Sequence, residues 1–130
     1  MRYFRFLLLV NTTFYLACCQ SPEVNSDING LWADSNSASF NNCYVIFAQE
    51  GEDVNFSHYL EFNGVQMVEY GKGKIKGNSL EYNVSVSKAI PGWATSGTHI
   101  LTLSEDKKTL RGIYKDSKGN SGPIVFKRIN

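Results

Sequence analysis

The chain has 130 residues, with 13 basic and 12 acidic side chains and a formal net charge of +1. That length supplies one hydrophobic core and not two. A charge so near balance leaves no basic surface to neutralise a run of phosphates, so nucleic acid is not an expected partner.

The chain opens on Met1-Arg2-Tyr3-Phe4-Arg5, a short cationic start, followed by the mostly apolar stretch from Phe6 to Tyr15. Leu16-Ala17-Cys18-Cys19 closes it. This order reads as a secretory signal peptide over residues 1–17, and its apolar part is too short for a permanent membrane span. A cysteine at the cleavage point resembles the lipobox of bacterial lipoproteins. The resemblance implies that fatty acyl chains are attached at that cysteine, and that two or more chains hold the mature protein on a membrane. Cys18 has the small residue before it and is the preferred anchor, with Cys19 the alternative. No Asp follows either cysteine, which under the common envelope sorting rule implies an outer-membrane address.

Without Arg2 and Arg5 the balance becomes 11 basic against 12 acidic residues. Residues 18–27 are polar and turn-prone and read as a tether. The folded domain is expected over 28–130. Cys43 stands apart from the anchor cysteines; a buried, inert thiol is preferred over pairing with Cys19.

Eight short alternating runs follow, and none keeps helical periodicity. They are Gly30–Asp34, Cys43–Gln49, Val54–Phe62, Gln66–Ile75, Ser79–Ser87, Thr98–Leu103, Thr109–Asp116 and Gly122–Ile129. Asn63-Gly64, Gly77-Asn78 and Gly119-Asn120 have the chemistry of hairpin tips. Connections so short join antiparallel neighbours, which makes the topology an up-and-down meander. Val54, Phe56, His58, Leu60 and Phe62 share one face of the third run, opposite Asn55, Ser57, Tyr59 and Glu61. One apolar face per strand, with no helix to cover it, is best buried by closing eight strands into an all-β barrel. A two-sheet sandwich is the alternative architecture. Lys72, Lys74 and Lys76 then share a solvated side.

Gly30-Leu31-Trp32 on the first strand and Arg128 on the last resemble the structural signature of lipocalins, fatty-acid-binding proteins and avidins. The resemblance implies that Arg128 crosses the barrel end and stacks on the Trp32 ring, a favourable guanidinium–indole pairing. Leu110–Tyr114 followed by Gly122–Phe126 is similar to the closing hairpin of small lipocalin-like lipoproteins. The chain is shorter than classical lipocalins and lacks their C-terminal helix signal.

A barrel of this size either fills with side chains or holds one small ligand. Phe47, Phe56, Leu60, Phe62, Tyr82, Tyr114 and Phe126 are inward candidates, and so many large residues favour a filled lumen. His58, Tyr82 and Tyr114 carry polar tips that could orient a ligand or simply be satisfied within the core. In a meander the links after odd-numbered strands share one end. The loops Ser35–Asn42 and Lys88–Gly97 therefore frame one mouth with the hairpins at Asn63-Gly64 and Asp116–Ser121. Trp93, in the apolar Lys88–Gly97 loop, is either a lid or partner anchor, or folds down with Ile90 to cap the core.

Catalytic chemistry finds no motif. His58 and His99 lie on different strands without ligand spacing, so no metal is expected, and no cofactor motif is present. Glu61 and Glu69 could meet across a hairpin, although carboxylates on a polar sheet face are usually just solvated. The expected role is a lipid-anchored envelope module, not an enzyme, holding a small apolar or amphipathic molecule in the barrel mouth. The alternative is a protein-binding inhibitor or immunity lipoprotein acting on an envelope hydrolase.

Overall fold

A computed structural model describes residues 26–36 and 42–129. The signal peptide, Cys18, Cys19 and most of the tether lie outside the described residues. The strands are β1 (Gly30–Asp34), β2 (Tyr44–Glu50), β3 (Asp53–Phe62), β4 (Val65–Lys76), β5 (Ser79–Val86), β6 (Ser96–Leu103), β7 (Thr109–Asp116) and β8 (Ser121–Arg128). Each pairs antiparallel with the next, and β8 returns to β1, so the sheet is one closed eight-stranded barrel rather than a sandwich. Closure leaves no edge strand among them.

Strand limits differ from the expected ones chiefly at β6. Ser96 and Gly97 pair with Ser85 and Val84 across the β5–β6 ladder, so the strand starts before Thr98. These residues carry no apolar alternation; the neighbouring strand recruits them through the backbone alone.

The short β1–β8 seam runs Trp32↔Arg128, Ala33↔Lys127 and Asp34↔Phe126. Hydrogen bonds from Ser35 N to Val125 O and from Ile129 N to Leu31 O, both 2.9 Å, extend it. At this end the Arg128 guanidinium carbon lies 4.4 Å from the Trp32 ring centroid. Its Nε donates to Lys107 O at 3.0 Å, Nη1 to Asn29 O at 2.8 Å and Nη2 to Asp27 O at 2.5 Å. Trp32 Nε1 donates to Ile28 O at 3.0 Å. One side chain thereby ties the strand that ends the domain to the segment that begins it and to the β6–β7 hairpin. Gly30 adopts φ +118°, a conformation that L side chains rarely take, where the chain passes beneath Arg128.

Above this floor the lumen is filled. Trp32, Phe47, Phe56, Tyr82, Phe126, Leu80, Leu101 and Leu110 are buried together with Ile28. Their rings meet edge-on or tilted, as between Phe47 and Tyr82 at 5.7 Å and 70° and between Phe56 and Tyr82 at 4.4 Å and 53°. Such arrangements match the ring quadrupoles and add to the area term. A second, smaller cluster of Cys43, Leu60, Met67 and Ile90 sits at the other end, with Phe62, Val65, Val86 and Trp93 packed against it. The expectation of a filled lumen thus holds for the floor half only.

Candidate functional site

Between the filled floor and the mouth is a cavity of about 560 Å³. That volume lies within the usual range for small-molecule pockets. The loop around Trp93, the β7–β8 hairpin and the end of β1 contribute to its wall. These are connections that the meander places at one end.

His58, 2% exposed, stands on the wall. β3 alternation turns it inward between Phe56 and Leu60. The ladder register sets Val45 and Glu69 beside it, and Trp32 follows one strand further from Val45. Glu69 Oε2 lies 3.4 Å from His58 Nδ1, and Asp34 Oδ2 lies 3.3 Å from Nε2. These are ion-pair distances, but neither nitrogen has an aligned hydrogen bond. The Phe126 ring meets the imidazole edge-on at 5.3 Å and 89°.

Asp34 and Glu69 are the residues that sequence reasoning missed. Glu69 does not join Glu61 on a solvated face. Glu61 pairs with Gln66, whereas Glu69 pairs with His58 and is buried. The signal was present: Met67, Glu69, Gly71, Gly73 and Ile75 share one face of β4, and both Met67 and Ile75 are core residues. Asp34 follows Trp32 by two positions and faces inward by the same rule. Its Oδ1 accepts the Asn36 backbone N–H at 2.9 Å, which fixes the carboxylate. Asn36 Oδ1 in turn accepts from Val125 N across the seam.

Burial favours the neutral form of His58, yet the Asp34 and Glu69 carboxylates outweigh it and leave its pKa raised above the ordinary 6.5. His99, also inward, has no such partner. Burial drives its pKa down to about 4, only partly opposed by Glu69. Its Nδ1 is 2.9 Å from the Tyr82 hydroxyl. Tyr82, whose own pKa burial lifts well above 10, is fully buried and does not reach the cavity wall. It acts from the layer below by holding His99. Among the candidate ligand contacts His58, Tyr114 and Trp93 line the cavity and Tyr82 does not.

Tyr114 has room because its cross-strand partner is Gly122. A Cβ there would stand 2.8 Å from the Tyr114 ring, so any side chain would push the ring away. Trp93 is folded down rather than projecting. Its ring lies 4.9 Å from Phe62, and its Nε1 donates to Glu69 Oε1 at 3.2 Å. Trp93 N donates to Ile90 O at 3.0 Å, closing the turn that buries Ile90. Cys43 is buried nearby, and desolvation pushes its thiol pKa up, which makes it a poor nucleophile.

The wall therefore has two chemistries. Leu60, Phe62, Val84, Val86 and Trp93 are apolar, while Asp34, His58, Glu69 and His99 are polar. Asp34 and Glu69 sit on opposite ring nitrogens of His58, so the three do not converge on one point, and among the described residues no group of His, Cys, Asp and Glu is arranged to hold a metal ion. No protein-family model, no curated protein and no solved structure matches this chain.

Proposed function

We propose that the protein is a lipid-anchored binding module of the bacterial cell envelope, carried on an acylated Cys18 at the outer membrane. Its barrel takes a small amphipathic molecule through the mouth. The observation that carries this reading is the cavity of about 560 Å³, apolar on one wall and polar on the other, above a floor sealed by Trp32 and Arg128. That floor arrangement also supports kinship with lipocalin-like barrels. A non-catalytic role is favoured because both nitrogens of His58 face carboxylates, so His58 is not placed to activate a nucleophile.

Native mass spectrometry of the purified full-length chain tests the reading. A co-purifying small molecule that leaves on denaturation and whose rebinding shifts Trp93 fluorescence is expected. Rebinding with the cavity-facing residues insensitive to substitution would overturn it.

A second reading, docking onto an envelope hydrolase, draws on the outer face of β1–β4. Leu31, Tyr44, Ile46, Val68 and Tyr70 are all exposed there. It draws less on Trp93, which is packed against Phe62. Ile46→Lys would abolish such docking and leave ligand binding intact.

A further inference from the structure

We propose that the cavity selects cations: its ligand is an amine or quaternary ammonium on a short apolar or aromatic stem, with the charged group at Glu69, in the field of Asp34, and the stem against Phe62, Trp93 and Tyr114. This rests on the reading of the cavity as a small-molecule site.

The charge balance of the wall carries the inference. Asp34, Glu69 and Asp116 supply three carboxylates. Only His58 and the exposed Lys115 can oppose them, because His99 is neutral in the physiological range. One negative charge is left over even when His58 is protonated. Asp116 lies at the mouth in its own hairpin, accepting from Asn120 and Lys118, whereas the buried cluster sets two carboxylates against the one His58 charge. A buried surplus charge is costly unless a partner neutralises it.

Glu69 also has unused bonding capacity, whereas Asp34 already accepts from the backbone and side-chain nitrogens of Asn36. A carboxylate offers about four acceptor sites. Glu69 meets Trp93 Nε1 on one oxygen and the misaligned His58 Nδ1 on the other. His58 itself, at 2% exposure, has no aligned hydrogen bond on either nitrogen. A donor-rich cation entering from the mouth completes the Glu69 oxygens, while the His58 nitrogens stay directed at the two carboxylates. The ring faces nearby suit it as well, since Trp and Phe attract cations through their quadrupoles. A fatty-acid carboxylate meets the opposite situation: its head would be driven against two like charges in a desolvated site.

Three probes of one shape separate these possibilities: 2-phenylethylamine, 2-phenylethanol and 3-phenylpropanoate, titrated into the full-length chain by calorimetry and Trp93 fluorescence. The amine is expected to bind at least about tenfold tighter than the alcohol, and the acid not at all. Glu69→Gln and Asp34→Asn should each erase most of the amine's advantage while leaving alcohol binding in place. The alcohol serves as the control for an intact barrel. Alcohol or acid binding as tightly as the amine overturns the cation proposal but leaves a small-molecule cavity standing. Failure of all three probes also overturns it, and the native mass measurement then decides the broader reading by itself. Loss of amine and alcohol binding together in the variants would show that the carboxylates serve only the fold.

Discussion

Glu69 and His58 are direct cross-strand partners on the inner face of β3 and β4, with Oε2 and Nδ1 3.4 Å apart. The pairing places an ionisable couple where the alternation of both strands otherwise calls for apolar residues. A second carboxylate, Asp34, reaches the same ring from β1, two strands away over β2. The three side chains thus link β1, β3 and β4 where the filled floor gives way to the cavity.

That linkage sets a pH dependence with two limbs. His58 has a raised pKa in the fold, so its contribution is fully present below the ordinary 6.5 and is lost as pH rises through the folded value. His99 is the reverse: its contribution is present above 6.5 and is lost as pH falls toward about 4. The acid loss is on the order of 3 kcal/mol at 1.36 kcal/mol per pKa unit. Thermal melting against pH should therefore peak near the ordinary histidine value. His99→Gln should flatten the acid side and His58→Gln the alkaline side. A wild-type melting curve level across this whole span would contradict both assignments.

Amine affinity should follow the same titration. Loss of the His58 proton adds a negative charge to the Asp34–His58–Glu69 cluster, so 2-phenylethylamine should bind more tightly above the raised His58 pKa than at about pH 6. Asp116 at the mouth, its pKa held low by hydrogen bonds from Asn120 and Lys118, stays charged and His99 stays neutral across that interval. In His58→Gln the affinity should no longer change with pH.

The barrel floor predicts a non-additive cycle. Arg128→Ala should cost roughly 1–3 kcal/mol through loss of the ring contact and of side-chain packing. Trp32→Ala should cost about 3–5 kcal/mol as a large-to-small core change. Because the two share a contact at 4.4 Å, the double variant should lose less than the sum. Denaturant unfolding of the four proteins checks this.

Gly122→Ala should move the Tyr114 ring, since its Cβ would fall 2.8 Å from Cε1. We expect a stability loss of about 1–3 kcal/mol and weaker binding of any mouth ligand. Gly122→Ala combined with Tyr114→Ala should recover part of the stability, measured by the same unfolding curves.

For the anchor, Cys18→Ser should abolish incorporation of labelled fatty acid and Cys19→Ser should not. Lipidation that survives Cys18→Ser would move the anchor to Cys19.

Most of the barrel is legible in the sequence itself, for a local reason. Period-two alternation in runs such as Val54–Phe62, broken by turns such as Asn63-Gly64, specifies strands, and links that short permit only antiparallel neighbours. The shared mouth of the Trp93 loop and the β7–β8 hairpin followed from connectivity alone. The polar site did not. Alternation gives each strand two faces, but a charged residue such as Glu69 sits on whichever face the register with β3 assigns, and that is settled across strands. Asp34 reaches His58 only because the β1–β2 and β2–β3 registers set it level with the imidazole from two strands away. The depth of Tyr82 and the folded position of Trp93 likewise depend on which neighbours fill the space around them, a property of packing in three dimensions that no single strand encodes.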